Sequence, residues 1–297
     1  VGRIGLCYFL TEAGNVLGEA TLAKLGPDRF WFGSAAAAES HDWDFLKDHR
    51  PTNGAGGDVE IINLTCNHTI LVVAGPKARA LLQAVAPRID WSATAFPFLT
   101  ARAVDIGPAR VMAMRVSFSG ELAWELHVPN EQLILVHAAL KAAGGAHGIG
   151  QFGLLAMESM RLEKGFRHWK GDLITEFDPF ESGLERFVRL DKPDFVGKSA
   201  LLQKRRAEHR RSFVMLDIES GIAAAHPGAS IYADGAVVGT VSSAAYGHRV
   251  QQNLAMGFVD PTAADGQTLE VDILDHRAPA RVMSEPPFDP GHAIMRG

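Results

Sequence analysis

Apolar and polar positions along this chain change period several times, and those changes divide it into segments. Residues 3–10 and 15–23 are apolar-rich runs on either side of Thr11-Glu12-Ala13-Gly14, which predicts a hairpin. Phe30-Trp31-Phe32 is a third short run, and Ala35 to Asp48 has helical character, with Trp43, Phe45 and Leu46 as its apolar contacts. Proline, glycine and asparagine make 51–58 a loop, and 59–64 and 69–74 read as strands. After Gly75-Pro76, residues Ala78, Leu81, Leu82 and Val85 recur at helical spacing. Residues 102–117 return to strand. Within 111–128, VMAMRVSFSGELAWELHV, two strands are expected to meet at a tight turn over Ser119-Gly120. On the second of them Leu122, Trp124, Leu126 and Val128 share one face, and Ala123, Glu125 and His127 the other. Pro129-Asn130 opens a helix reaching about Ala143, and a further helix covers about 152–164, ending at Gly165.

From Arg211 the pattern becomes short strands: 213–216, 230–232, 237–241, 256–259 and 269–274. Turn signals such as Asp234-Gly235 and Asp265-Gly266 separate them, which predicts a compact β-barrel or sandwich. The fold class is therefore α+β: mixed α/β subdomains over 1–208 and a β-barrel domain over 209–297, divided in the charged stretch near 203–211. The tail from Pro286-Pro287 reads as extended.

Composition narrows the function classes. The chain has 297 residues, 47% apolar and 21% charged, as in ordinary globular proteins. A net charge of −5 and the lack of a basic stripe argue against nucleic acid as a partner. No apolar run is long enough for a membrane helix. Cys7 and Cys66 are the only cysteines and lack metal-ligand spacing, so no metal site is expected and a reducing compartment is. Gly144 to Gly150 follows a helix rather than a strand and does not read as a dinucleotide fingerprint.

Two carboxylates and one helix end stand out. Glu125 lies on a strand with one strongly apolar face. It is either solvated on its own face or placed to accept parallel N–H donors in a fork. Glu19 lies just beyond the first turn, where an exposed hairpin glutamate is the ordinary reading. Arg161 and Lys164 close the 152–164 helix, where the helix dipole favours cations.

RVSFSGELAWEL resembles the R-x-S-Y-T-G-E-x-G-[YW]-E-L segment of the glycine-cleavage T-protein (aminomethyltransferase) superfamily. It is most similar to the folate-binding version at the C-terminal end of dimethylglycine and sarcosine dehydrogenases. LTEAGNVLGEATL is similar to that family's N-x-x-G-G-[IV]-x-x-D-L-x-V, and MRLEKGFRHW to its S-[LM]-R-L-E-[KA]-[GA]-[FY]-x-x-[WY]. Asp178 to Leu184 and Lys192 to Lys198 match two further segments that read as packing and turn motifs. The resemblance implies a T-protein-like folate-binding fold of two interleaved subdomains plus a barrel, with tetrahydrofolate as cofactor. By the same comparison Glu125 holds the pterin, and Phe118, standing where the family often has tyrosine, supplies a stacking ring. Arg161 approaches the folate and Trp169 lines its pocket. Glu19 replaces the family's aspartate at the reacting end and is the catalytic carboxylate.

The implied reaction captures the methylene of an oxidatively N-demethylated glycine-type amine as 5,10-methylenetetrahydrofolate. The implied partners are folate, the methylated amine and an upstream flavin-dehydrogenase module carrying FAD, so the chain is expected to be incomplete as a functional unit. The implied compartment is a bacterial cytoplasm or a mitochondrial matrix. A free-standing aminomethyltransferase and a non-catalytic folate-binding protein of the same fold are the alternatives.

Overall fold

The computed structural model describes residues 1–51, 59–207, 210–221, 223–264 and 268–297. The first hairpin forms as its pattern predicts, with β1 (Ile4–Leu10) antiparallel to β2 (Val16–Lys24), and β3 (Phe30–Ser34) completes a three-stranded sheet in the order β1-β2-β3. The register slips by one residue between Phe9 and Leu10. This bulge places Tyr8 directly opposite Glu19. Helix α1 (Glu39–Asp48) covers one side of the sheet, where Phe9 stacks between Phe32 and Phe45.

The second sheet has the order β4-β7-β6-β5, from β4 (His68–Ala74), β5 (Ala101–Ile106), β6 (Ala109–Met114) and β7 (Ala123–Pro129). Its inner face carries the main core. Trp124, Leu126 and Val128 are fully buried against α2 (Ala78–Val85) and α3 (Leu133–Gly144) through Leu82, Val136 and Leu140. Its other face meets the first sheet through Ile4, Ala23, Ala101 and Met114. A backbone bridge from Arg3 to Thr100 joins the two sheets there.

Helix α4 (Leu154–Glu163) then runs to the C-terminal half, where α5 (Lys198–Lys204) precedes the barrel. The barrel closes in the order β10-β11-β8-β13-β12-β9. Its strands are β8 (Ser212–Ile218), β9 (Ser230–Ala233), β10 (Ala236–Gly247), β11 (Gln252–Val259), β12 (Leu269–Ile273) and β13 (His276–Met283). The expected closed β domain is therefore present, and the mixed α/β part with it.

Four local expectations are corrected. Residues 59–64 form no strand. The single run over 102–117 is two strands, because Gly107 at φ +58 turns the chain between them. Eight residues, 115–122, and not a two-residue turn, separate β6 from β7. The tail is not extended throughout: α6 (Ala293–Arg296) buries Met295, and the fully buried Arg115 donates to the carbonyls of Phe96, Met295 and Arg296. The predicted 51–58 loop, the 208/209 boundary and the Asp265-Gly266 turn fall wholly or mainly outside the described residues.

Closure needs close backbone approach where β10 crosses β11. A Cβ on Gly257 would lie 2.4 Å from the Thr240 carbonyl oxygen, which is backbone and cannot swing away. Gly257→Ala should therefore lower stability by about 1–3 kcal/mol, the usual range for overpacking. Urea unfolding followed by tryptophan fluorescence measures it, and an unchanged midpoint would show that the crossing relaxes freely.

Candidate functional site

The site is built on the short loop that follows α4. Arg161, in the last turn of that helix, has no solvent-exposed surface. It donates through Nη1 to Asp172 at 2.6 Å and to the Phe166 carbonyl at 3.0 Å, and through Nη2 to Ser243 at 2.7 Å and to Glu158. Asp172, equally buried, also accepts from the His168 backbone N–H at 2.9 Å and from the Ser242 hydroxyl. Loop 166–173 is thereby clamped between the helix and β10. Arg161 is thus held by protein partners through Nη1 and Nη2, while its buried Nε has none.

The clamped loop presents Arg167 and Trp169 to the first sheet. Trp169 donates its indole N–H to the Leu17 carbonyl at 3.3 Å, which sets the ring beside β2 two residues from Glu19. Glu19 is half-buried, opposite Tyr8. Burial pushes its carboxyl up to about 7, against the opposing pull of a hydrogen bond from Tyr8 and the charge of Arg167. Tyr8 is itself pushed up, first by burial and then by the Glu19 charge. Its ring packs edge-on against Phe187 at 5.1 Å.

Glu125 lies elsewhere, in the middle of the second sheet. Met114 faces it across one strand pair and Val72 across the other. Its carboxylate accepts from His127 Nε2 at 3.2 Å, so the imidazole proton sits on that nitrogen. Trp31 of β3 meets both His127 and His68 edge-on, at 5.6 and 5.4 Å, and so brings the first sheet over this region. A cleft of about 800 Å³ opens between the sheets here, lined by Trp31, His68, Met112, His127, Arg29 and Arg102. None of the five predicted site residues lines it.

Phe118 stacks parallel to Phe166 at 6.3 Å, at the root of the clamped loop. The structure therefore groups Glu19 with Trp169, sets Phe118 at the foot of the same loop, encloses Arg161 as its clamp, and holds Glu125 apart with His127. Tyr8, Arg167 and His127 are functional candidates that the sequence reading did not single out. Arg167 could have been found as a third cation in the short stretch from Arg161. Among the described residues no group of three or more His, Cys, Asp or Glu is placed to hold a metal ion. No described helix is long and apolar enough to cross a membrane.

Residues 1–192 match the family described as GCVT N-terminal domain, and residues 211–289 match the one described as Glycine cleavage T-protein C-terminal barrel domain. The chain belongs to the glycine-cleavage T-protein family. It is 36% identical over 288 residues to dimethylglycine dehydrogenase of Mus musculus, covering 96% of this chain and 33% of that protein. It is 31% identical over 316 residues to sarcosine dehydrogenase of Homo sapiens, covering 97% and 33%. The chain thus spans about a third of the length of these relatives. The crystal structure of glycine cleavage system aminomethyltransferase T from Bartonella henselae superposes with a TM-score of 0.85 at 22% identity, over 98% of this chain and 77% of that one, and shows the shared fold.

Glu19 makes stability depend on pH. Its carboxyl titrates at about 7 when folded against 4.5 ordinarily. As pH rises between those values the unfolded chain loses this proton first, so the folded state is progressively disfavoured, by up to about 3 kcal/mol above pH 7. Glu19→Gln removes that burden. The variant should match the parent near pH 4.5 and exceed it by about 1–3 kcal/mol at pH 8 in urea unfolding. A gain that does not grow with pH would mean Glu19 is solvated and unperturbed.

Proposed function

We propose that this chain is a tetrahydrofolate-dependent one-carbon-transfer domain. It captures the methylene released by oxidative N-demethylation of a methylated glycine-type amine and delivers 5,10-methylenetetrahydrofolate. The observation that carries the reading is Glu19: a family-matched carboxylate held half-buried beside Tyr8 and the clamped loop, with its proton affinity raised to near neutrality. Shifted carboxylates in such settings are typical of acid–base and electrostatic catalysis.

The residues fit that ligand. Glu125 keeps one carboxylate oxygen on His127, and its side chain is 31% exposed, so the carboxylate is open to the paired N–H donors of a pterin. Phe118 offers a ring surface at the start of the clamped loop and Trp169 one at its middle. Arg161 acts as a positioning residue, because it fixes the loop that carries Trp169. Tetrahydrofolate, when bound, supplies the nucleophilic nitrogen that takes up the carbon. Glu19 faces the reacting end, where its negative charge favours cationic nitrogen and its carboxyl oxygen, with a pKa of about 7, can receive a proton. Oxidation of the amine belongs, in this reading, to a flavin module in a longer polypeptide, since both dehydrogenases matched here are about three times as long.

Two measurements test this. Titration calorimetry with 5-formyltetrahydrofolate should show binding to the chain, and Glu125→Ala should weaken it by about 30-fold or more, as expected for one lost charge-assisted partner. Unchanged affinity would remove Glu125 from the pterin. In the second, the domain is coupled to the flavin dehydrogenase that supplies the iminium. Glu19→Gln should slow methylene capture about 10²–10³-fold and divert the carbon to formaldehyde, with folate binding intact. Unaltered partitioning would leave Glu19 a structural residue.

A further inference from the structure

Arg167 is a cation that the fold sets against an aromatic ring and, among the described residues, leaves without an ion pair. Its guanidinium carbon lies 4.4 Å above the Phe213 ring of β8, and its Nε is buried with no hydrogen-bond partner. Among the described residues it makes no hydrogen bond or ion pair. The neighbouring Asp172 is taken by Arg161, Ser242 and the His168 N–H.

Gly183, whose φ of +63 favours glycine, leaves its open side to Arg167 Nη2, which lies 2.5 Å from where a Cβ would stand. The backbone carbonyl of the preceding residue, Phe166, is held by Arg161. Arg167 is therefore no frayed surface side chain.

Tyr8, Asp172 and Glu185 act on it electrostatically against Arg186, and its own charge reaches Glu19, which stands opposite Tyr8. Yet Glu19 and Arg167 form no ion pair. Burial weighs on both charges, raising the carboxyl and lowering the guanidinium. Were mutual neutralisation the purpose, direct contact would relieve both. A nearby but separated anion and cation instead complement a ligand carrying the two opposite charges itself, a few bonds apart.

We propose that Arg167 is a carboxylate receptor for the amino-acid substrate: its guanidinium takes the carboxylate of an N-methylated α-amino acid in a fork, while Glu19 faces the nitrogen. This rests on the assignment of Glu19 to the reacting end. It explains why a domain that acts on the nitrogen-borne carbon should keep an unpaired arginine there. It also makes the carboxylate a specificity element, because an amine lacking it cannot use Arg167.

The 297-residue chain is titrated calorimetrically with N-methylglycine, with methylamine and with 5-formyltetrahydrofolate. N-methylglycine should bind and methylamine should not. Arg167→Gln should lose at least about 10-fold in N-methylglycine affinity, with Arg167→Lys recovering part, as for removal and partial restoration of a charge-assisted partner. Folate affinity should stay unchanged in both variants. Because these variants can affect folding, phenylglyoxal labelling of the unmodified chain serves as a second measurement: N-methylglycine should protect Arg167, mapped by peptide mass, and methylamine should not.

Equal N-methylglycine binding by Arg167→Gln and the parent overturns the proposal, as does no binding by the parent. So does a loss by Arg167→Gln of affinity for tetrahydrofolate but not for 6-methyltetrahydropterin, which would give the guanidinium to the folate's own carboxylates. Failure of the folate reading looks different: Glu125→Ala would then leave folate affinity untouched while the N-methylglycine results stand.

Discussion

The buried pair of Arg161 and Asp172 is the constraint on which the site depends. Both side chains are withdrawn from solvent, at a desolvation cost that one ion pair rarely recovers. Here the cost is offset by several further bonds: Arg161 reaches Asp172, Glu158, Ser243 and the Phe166 carbonyl, and Asp172 reaches Ser242 and the His168 N–H as well. The bonds come from a helix, a loop and a barrel strand. Loss of the pair would free three elements at once, because each bond polarises and orients the next. The α/β half and the barrel are registered through this cluster, and loop 166–173 can hold Trp169 and Arg167 in place because both its ends are tied.

Other buried cations follow the same pattern. Arg249 donates to Glu163, Glu121 and two backbone carbonyls, with Phe288 stacked on it at 3.6 Å. Lys164 is tied to Asp289, and Arg115 to backbone carbonyls. These groups fasten the C-terminal segment to the rest of the molecule. Against them, Arg167 stands out as a cation with neither a hydrogen bond nor an ion pair among the described residues, near the Tyr8–Glu19 pair. Places where a fold departs from its own rules are where function is expected.

Much of the fold was legible because hydrophobic period tracks burial. Leu122, Trp124, Leu126 and Val128 all proved buried, and the barrel strands with alternating apolar residues were found. Strand β13, HRAPARVM, was missed because Arg277, Pro279 and Arg281 point outward and dilute the signal. The motif residues of the site were legible through resemblance, but their partners were not. A plain turn over 11–14 sets Leu10 opposite Asn15 and Tyr8 opposite Leu17. In the structure Leu10 instead pairs with Val16, one residue on, and the bulge adds one more, so Tyr8 meets Glu19; nothing local in the sequence announces either step. The partners of Arg161, Asp172 and Ser243, lie 11 and 82 residues further on, too far for any local pattern to show.

The two carboxylates also explain why two sheets are needed. Met114 pairs with Glu125 and packs against Ala23, and Ala23 lies on the same strand as Glu19, four residues away, about 13 Å along β2. Cross-strand partners share a face, so Ile4 with Ala23 and Tyr8 with Glu19 mark one continuous side of the first sheet, the side turned towards Met114. The two acids thus project from facing sheets at offset positions, a separation suited to an elongated ligand with chemically different ends. Each acid also has its own partner, a histidine for Glu125 and a phenol for Glu19. A single sheet would set both acids in one environment. The contact of Ile4, Ala23, Ala101 and Met114, reinforced by the Arg3–Thr100 bridge, fixes their spacing, and in the proposed function this small apolar cluster governs whether both ends of the ligand can be held at once.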